Sequence, residues 1–149
     1  MSIVSLSAVQ VDAAVDLAVK MHSESELREI AFDAEKVRSR MLASIGRSDA
    51  YLRAVLIDDE IAGLLWGGIS TPYWTLEKIC TDAGLYVAPE HRSSGIAKSL
   101  LKDFEFWAKM RGVNWMMPGQ TTGVEPEKVR GLYEHLGYTT VGFNVLKGI

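Results

Sequence analysis

The sequence predicts a single domain of the mixed α/β (α+β) class. Its 149 residues suffice for one hydrophobic core and leave no room for a second domain. Segments with alternating apolar and polar residues, typical of strands, are mixed with segments whose apolar residues recur every three or four positions, typical of helices. One predicted strand runs through a loop of small residues into a helix and then into another strand, which indicates a right-handed crossover between parallel strands.

The N-terminal part of the chain predicts one strand followed by two helices. Ser2–Leu6 alternates in polarity and is predicted to be the first strand. Ala8–His22 carries apolar residues at helical spacing, and the polar segment His22–Arg28 follows as a loop. Asp33 has the character of an N-cap for a second helix that extends to about Ile45.

The middle of the chain predicts a hairpin and a fourth strand. Tyr51–Ile57 and Ile61–Ser70 are the two arms of the hairpin, joined by an acidic three-residue turn. Thr71–Glu77 contains a proline and two aromatic residues and is predicted to be a turn. Lys78–Val87 is the fourth strand.

The C-terminal part predicts two helices and two strands. An amphipathic helix spans Ala97 to about Arg111, and Val113–Pro118 is the fifth strand. After a loop at Gly119–Gly123, a short helix is predicted over Glu127–Leu136. Tyr138–Val145 alternates in polarity and is predicted to be the last strand.

The loop after the fourth strand has the composition of a phosphate-binding site. Pro89 ends the strand, and Gly95 can adopt a positive φ and let a ligand approach the backbone. The amides at the start of the following helix are unpaired, and the helix dipole is positive there. The residues that we expect to contact an anion are Arg92, Ser93, Ser94, Gly95, Ile96, Ala97 and Lys98. The alternative is an ordinary strand-to-helix connection with solvated polar residues.

The loop does not match the residue spacing of two other phosphate-binding motifs. Aligning Lys98 and Ser99 with the end of a nucleoside-triphosphate loop puts Arg92 and Ala97 where that motif requires glycine. A dinucleotide-binding fingerprint needs three glycines in an early βαβ unit, whereas this loop has one glycine and lies late in the chain.

The loop resembles the acyl-CoA signature of the GNAT superfamily of N-acetyltransferases, (Gln/Arg)-x-x-Gly-x-(Gly/Ala). In this chain the signature is RSSGIA at residues 92–97, preceded by LYVAPE at residues 85–90. The segment LYEHLGY at residues 132–138 is similar to a second family signature, (Leu/Phe)-Tyr-x-x-x-Gly-(Phe/Tyr). The resemblance implies a central mixed sheet of about six or seven strands with about four helices, in which the parallel fourth and fifth strands splay apart.

The resemblance also implies acetyl-CoA as co-substrate and a primary amine, of a small molecule or a protein, as acceptor. The pantetheine arm would enter the gap between the splayed strands and pair with the backbone of Leu85, Tyr86 and Val87. Tyr133 corresponds to the family tyrosine whose hydroxyl lies near the cofactor sulfur, so it is the candidate general acid. Family members often carry an Asn seven positions earlier, where this chain has Pro126.

The general base and the acceptor contacts are less well defined by the sequence. Asp82 lies near the position of a family Glu on the fourth strand, and strand periodicity puts it on one face with Gly84 and Tyr86. A solvated strand carboxylate is the alternative. Other candidates for the base are Glu24, His22 and His91. Glu24 and Trp74 are the predicted acceptor contacts.

Composition excludes several classes of function. A net charge of −3 gives no general attraction to nucleic acid or to an anionic membrane and mildly favours a cationic substrate. No apolar run is long enough to cross a bilayer, and the first residues lack the basic segment and apolar core of a signal peptide, so we do not expect secretion. The lone cysteine, Cys80, excludes an internal disulfide and fits a reducing compartment, so we expect a cytoplasmic protein.

No histidine pair has the spacing of metal ligands, so no metal is expected. Exposed strand edges make a homodimer plausible. Two alternatives to an enzyme of this family stay open: a non-catalytic acyl-CoA sensor or assembly module of the same fold, and a different nucleotide-binding α/β protein.

Overall fold

The computed structural model describes residues 1–149 as a five-stranded mixed sheet with four helices. The elements in chain order are β1 (Ser2–Ser5), α1 (Val11–Glu24), α2 (Ala34–Ser44), β2 (Ala50–Ile57), β3 (Glu60–Ser70), β4 (Ile79–Val87), α3 (Ile96–Lys109), β5 (Trp115–Met116) and α4 (Pro126–His135). Single 3₁₀ turns precede α1 and follow β4. Every predicted helix is present, with ends shifted by a few residues.

The strands follow one another across the sheet in chain order, from β1 to β5. β1 to β4 are antiparallel neighbours, and β5 is parallel to β4, as the strand–helix–strand unit predicts. Asp58 and Asp59 connect β2 to β3 with φ angles of 51° and 64°. Two consecutive residues with positive φ match the right-handed twist of a tight hairpin.

A bulge interrupts the pairing of β3 with β4. Trp66 lies opposite Gly84 and Gly67 lies opposite Asp82, so Ala83 is an extra residue without a partner. Because one inserted residue reverses the alternation of side chains, residues before and after the bulge no longer follow one period-two pattern. The prediction that Asp82 shares a strand face with Gly84 and Tyr86 is therefore wrong.

Hydrophobic clusters cover both faces of the sheet. On one face, Phe104 and Trp107 of α3 pack against Tyr51 of β2, with ring centroids 4.7 and 5.4 Å from that of the tyrosine. On the other face, apolar residues of α1 and Met41 of α2 pack against Leu64 and Tyr86. Cys80 belongs to the α3 cluster and Tyr86 to the α1–α2 cluster, as expected from the reversal at Ala83.

The sheet is smaller than predicted, with five strands instead of six or seven. Residues 138–149 form no strand, so the predicted strand Tyr138–Val145 is wrong. Its alternating apolar residues Val141, Phe143 and Val145 are 83–90% exposed. The physical reason is the shortness of β5, because two residues offer too little edge for a further strand to pair with.

The predicted fifth strand, Val113–Pro118, shortens to Trp115–Met116. Its last ladder bond runs from the Met117 N–H to the Cys80 carbonyl oxygen, at 2.8 Å. Pro118 has no N–H to continue the ladder. As a result β4 has no strand partner on this side from Thr81 to Val87, and the parallel pair is open over that length.

Candidate functional site

The first turn of α3 presents a row of free backbone amides. Gly95 is the N-cap with φ +85°, and no side chain caps the helix. The first helical hydrogen bond is donated by the Ser99 N–H to the Gly95 carbonyl, at 3.0 Å, and no backbone carbonyl accepts from the amides of residues 93–98. A Cβ built at Gly95 would meet no atom within 4 Å, so the space beside these amides is open. This arrangement suits an anion.

Arg92, predicted to contact the anion, is turned away from these amides. Its guanidinium forms an ion pair with Glu24 at the end of α1, donates through Nε to the Val87 carbonyl oxygen at 3.1 Å, and lies 5.4 Å from the centroid of the Tyr86 ring. The structure thus brings together four residues that were predicted to make different contacts: Glu24 with the acceptor, Tyr86 and Val87 with the pantetheine arm, and Arg92 with the anion. In this position Arg92 ties α1 to the loop.

The remaining polar residues of the loop divide between local contacts and open space. The Ser94 hydroxyl donates to the His91 carbonyl, whereas Ser93 is exposed and has φ +66°. Lys98 Nζ lies 3.1 Å from Nε2 of His135 on α4. Lys98 therefore connects the first turn of α3 to the end of α4, beside the predicted anion site.

Asp82 lies where β4 and β5 separate. Its Oδ1 accepts a hydrogen bond from the Gly119 N–H at 2.8 Å, so the carboxylate bridges β4 to the chain just beyond β5. Burial raises the pKa of Asp82 above its ordinary value, although the Gly119 hydrogen bond opposes that shift. Asp82 is thus held at the entrance to the open stretch of β4.

Tyr133 lies on the same side of the sheet as Asp82. It packs against the α3 cluster, and its ring centroid is 5.3 Å from that of Tyr138 in an edge-to-face arrangement. Burial and then the negative charge of Asp82 raise the pKa of Tyr133 well above its ordinary value. The phenol is therefore protonated at neutral pH, as a proton donor must be.

An apolar cavity of about 140 Å³ lies on the opposite side of β4, between the sheet and the helices α1 and α2. Its wall includes Ala83 and Gly84 of the open stretch of β4. Apart from Tyr86, which was predicted to contact the cofactor through its backbone, sequence reasoning missed the residues of this cavity. The reason is that apolar side chains that line a cavity and those that fill a core give the same pattern.

The other predicted acceptor residues lie apart from the cavity or are already paired. Burial raises the pKa of Glu24, but hydrogen bonds from Arg92 and Tyr86 outweigh it and bring the pKa below its ordinary value. Trp74 is 65% exposed and is not among the residues of the cavity wall. His22 donates through Nε2 to the Ile30 carbonyl at 2.7 Å and packs against Phe32, so it orders the segment between α1 and α2.

That segment is also tied to the loop between β5 and α4. The Glu26 N–H donates to the Thr122 carbonyl oxygen at 2.7 Å.

No group of three or more His, Cys, Asp or Glu residues is arranged to hold a metal ion. None of the helices combines the length and the hydrophobicity needed to span a membrane.

A protein-family model matches most of the chain. Residues 49–140, from just before β2 to just beyond α4, match the model of the acetyltransferase (GNAT) domain. Both sequence signatures and the free amides of α3 lie within this range. A search of the curated proteins gave no sequence match.

Solved structures with this fold cover the whole chain at low sequence identity. The aminoglycoside antibiotic 6'-N-acetyltransferase AAC(6')-IG from Acinetobacter haemolyticus, in its apo form, aligns with a TM-score of 0.77 and 18% identity over 100% of this chain and 98% of its own. AAC(6')-Iy, in complex with the bisubstrate analog CoA-S-monomethyl-acetylneamine, aligns with a TM-score of 0.77 and 12% identity over 99% and 97%.

A third similar structure has a different kind of acceptor in its name. The ribosomal-protein-alanine N-acetyltransferase from Brucella melitensis biovar Abortus 2308 aligns with a TM-score of 0.71 and 16% identity over 100% of both chains. Proteins named for antibiotic and for protein acceptors thus share this fold. The fold alone therefore leaves the acceptor open.

Proposed function

The chain belongs to the GNAT family of acetyltransferases, and from that premise we propose that it transfers the acetyl group of acetyl-CoA to a primary amine by direct attack in a ternary complex. The observation that carries the proposal is the position of the free α3 amides at the end of the open stretch of β4. The free amides suit a diphosphate, and the open stretch of β4 suits an extended chain that pairs with it like a strand.

The residues present fit coenzyme A. The amides of residues 93–98 have no internal acceptor, and the space beside Gly95 is open. We assign the diphosphate to these amides, with Lys98 as the nearby cation. The backbone of Leu85, Tyr86 and Val87 has no strand partner on the β5 side, so it would hold the pantetheine amides. Arg92 acts indirectly in this scheme, because its contacts fix Val87 and the end of α1.

The chemistry requires a proton donor for the departing sulfur and an acceptor for the proton of the amine. When bound, acetyl-CoA supplies an acyl group activated as a thioester. Tyr133 is the proposed general acid, since the raised pKa of this partly buried side chain keeps the phenol protonated at neutral pH. In the balanced transfer an N–C amide bond replaces the C–S bond, and Tyr133 gives its proton to the sulfur.

Asp82 is the proposed proton acceptor for the amine. Its raised pKa makes it a better base than an ordinary aspartate, and it lies where the unpaired stretch of β4 begins. Glu24 is a poorer candidate because its ion pair with Arg92 lowers its pKa. In this scheme Asp82 accepts the proton of the amine and Tyr133 donates a proton to the sulfur. Both groups lie on the same side of the sheet, close enough for the charge of Asp82 to raise the pKa of Tyr133.

A pair of conservative tyrosine variants tests this proposal. We expect calorimetry to detect CoA binding by the wild type and thiol release to detect transfer to amines. Tyr133→Phe is expected to lower kcat by about 10²- to 10⁴-fold while the Kd for CoA changes less than about twofold. Tyr138→Phe removes a neighbouring buried hydroxyl that has no hydrogen-bond partner, so it is the matched control and keeps near wild-type activity.

Each result has a distinct consequence. Absence of CoA binding by folded protein would overturn the proposed function. CoA binding without transfer to any amine would instead support the acyl-CoA sensor. Equal losses in Tyr133→Phe and Tyr138→Phe would refute the specific role of Tyr133.

A further inference from the structure

The apolar cavity between α1, α2 and the sheet has the chemistry of a binding pocket for an aromatic group. Its wall includes three aromatic side chains, Phe32, Trp66 and Tyr86, and the two thioethers of Met21 and Met41. Aromatic rings and methionine sulfur both form favourable contacts with a further ring. Methionine also adapts its shape to the group that it contacts.

The cavity holds no free negative charge for a polycation. No carboxylate is part of its wall. Glu24 accepts a hydrogen bond from Tyr86 of the cavity wall, but its charge is already paired with Arg92. Asp12 on α1 is likewise paired, with Arg38 of α2. Burial of a cation among these apolar walls would cost free energy without compensation.

The size of the cavity suits one ring. Its volume of about 140 Å³ is close to that of an engineered apolar cavity of about 150 Å³ that binds benzene. A two-ring or sugar-sized group exceeds this volume, whereas a methyl or ethyl group leaves much of it empty.

The position of the cavity connects it to the proposed reaction. Ala83 and Gly84 belong both to its wall and to the stretch of β4 that has no partner on the β5 side. A ring in the cavity, joined to an amine by a short alkyl linker, would direct the nitrogen toward that stretch. The apolar surroundings also favour the neutral amine over the ammonium ion, and only the neutral form can attack the thioester.

We infer that the acceptor is an arylalkyl primary amine whose single aromatic ring occupies the cavity lined by Phe32, Trp66 and Tyr86. The inference rests on the proposed function and specifies its substrate class. The products are the N-acetylated arylalkylamine and free CoA, so no further reactant is needed.

Wild-type protein tests the inference with a defined panel of amines. Thiol release is measured with phenethylamine, n-butylamine, spermidine and kanamycin, each with acetyl-CoA. We expect kcat/KM for phenethylamine to exceed that for spermidine or kanamycin by on the order of 100-fold. Calorimetry with CoA present should detect phenethylamine binding independently of turnover.

Two alanines on α1 give a matched pair of variants. Ala18 lines the cavity, whereas Ala13 on the same helix is exposed. Ala18→Leu is expected to raise the KM for phenethylamine by about tenfold or more and to leave the Kd for CoA unchanged. Ala13→Leu should change neither quantity. A second cavity variant, Val37→Ala, enlarges the pocket and should raise kcat/KM for 2-(naphthyl)ethylamine relative to phenethylamine.

The outcomes separate the inference from the proposed function. CoA binding together with faster transfer to kanamycin or spermidine than to phenethylamine overturns the inference and leaves the proposed function standing. Unchanged selectivity in both Ala18→Leu and Val37→Ala, with thermal melts showing folded protein, overturns the assignment of the cavity. Absence of CoA binding overturns both.

Discussion

The free amides of α3 can be tested by removing one of them. Ala97 is the second residue of α3, and its N–H has no internal acceptor. Proline is tolerated in the first turn of a helix, because the missing N–H would not have formed a helical bond. Ala97→Pro therefore deletes one proposed donor to the diphosphate while the helix is retained.

The expected loss follows from the number of hydrogen bonds removed. A hydrogen bond to a charged group contributes about 1.5–3 kcal/mol, and about 1.4 kcal/mol corresponds to a tenfold change in affinity. We therefore expect the Kd for CoA to rise by about 10- to 140-fold, measured by calorimetry. Dephospho-CoA, which keeps the diphosphate, should show the same relative loss.

The matched control is Glu35→Pro, at the second position of α2. The Glu35 N–H also lacks an acceptor, and the N-cap Asp33 binds the amide of Lys36 instead. Both variants place the same constraint on the residue before the proline, so Glu35→Pro measures the general cost of a proline in the first turn of a helix. Wild-type affinity in Ala97→Pro, or an equal loss in Glu35→Pro, would refute the assignment of the diphosphate to these amides.

Two further predictions concern stability. Phe104→Ala removes a fully buried ring that stacks on Trp107, and it should lower the free energy of unfolding by about 3–5 kcal/mol, measured by urea denaturation. The control is Phe106→Ala, at a position 63% exposed, which should change that free energy by about 0.5 kcal/mol or less. Similar losses in the two variants would contradict the packing described. Because the folded-state pKa of Glu24 is depressed, its stabilisation is present above the ordinary value of 4.5 and is lost as the pH falls through the lower folded value. Glu24→Gln should therefore melt below the wild type at pH 7 and approach it at acidic pH, unlike the exposed Glu29→Gln; a constant difference would refute the ion pair with Arg92.

The parts of the fold that depend on local chemistry were predictable from the sequence. The α3 stripe, the acidic hairpin turn and the positive φ at Gly95 follow from side-chain periodicity and from backbone sterics. Asp33 is an N-cap as predicted, with its carboxylate accepting from the Lys36 N–H. In each case the determining interactions lie within a few residues of one another.

The parts that depend on distant partners were not predictable in the same way. Glycines such as Gly67 of β3 indicate a bulge in this part of the sheet, and the register shift does occur at Gly67. Glycine does not show which residue of β4 is inserted, because that depends on how β3 and β4 align, so the predicted strand face of Asp82 was wrong. The alternation of Tyr138–Val145 is typical of a strand, but a strand also needs an edge to pair with. Arg92 has two possible partners, an external phosphate and Glu24, which is 68 positions away in the chain.

The bulge at Ala83 lets β4 contribute side chains to two separate sites, one on each face of the sheet. Because side-chain direction reverses there, Asp82 lies on the same side of the sheet as Tyr133, the proposed general acid, while Gly84 and Tyr86 line the cavity on the other side. Substitutions that reshape the cavity from α1 or α2 thus leave the proposed proton-transfer groups, Asp82 and Tyr133, in place. Laboratory evolution of acceptor preference in this protein can therefore begin with the α1 and α2 residues of that wall, such as Ala18 and Val37, while the inserted residue Ala83 is kept.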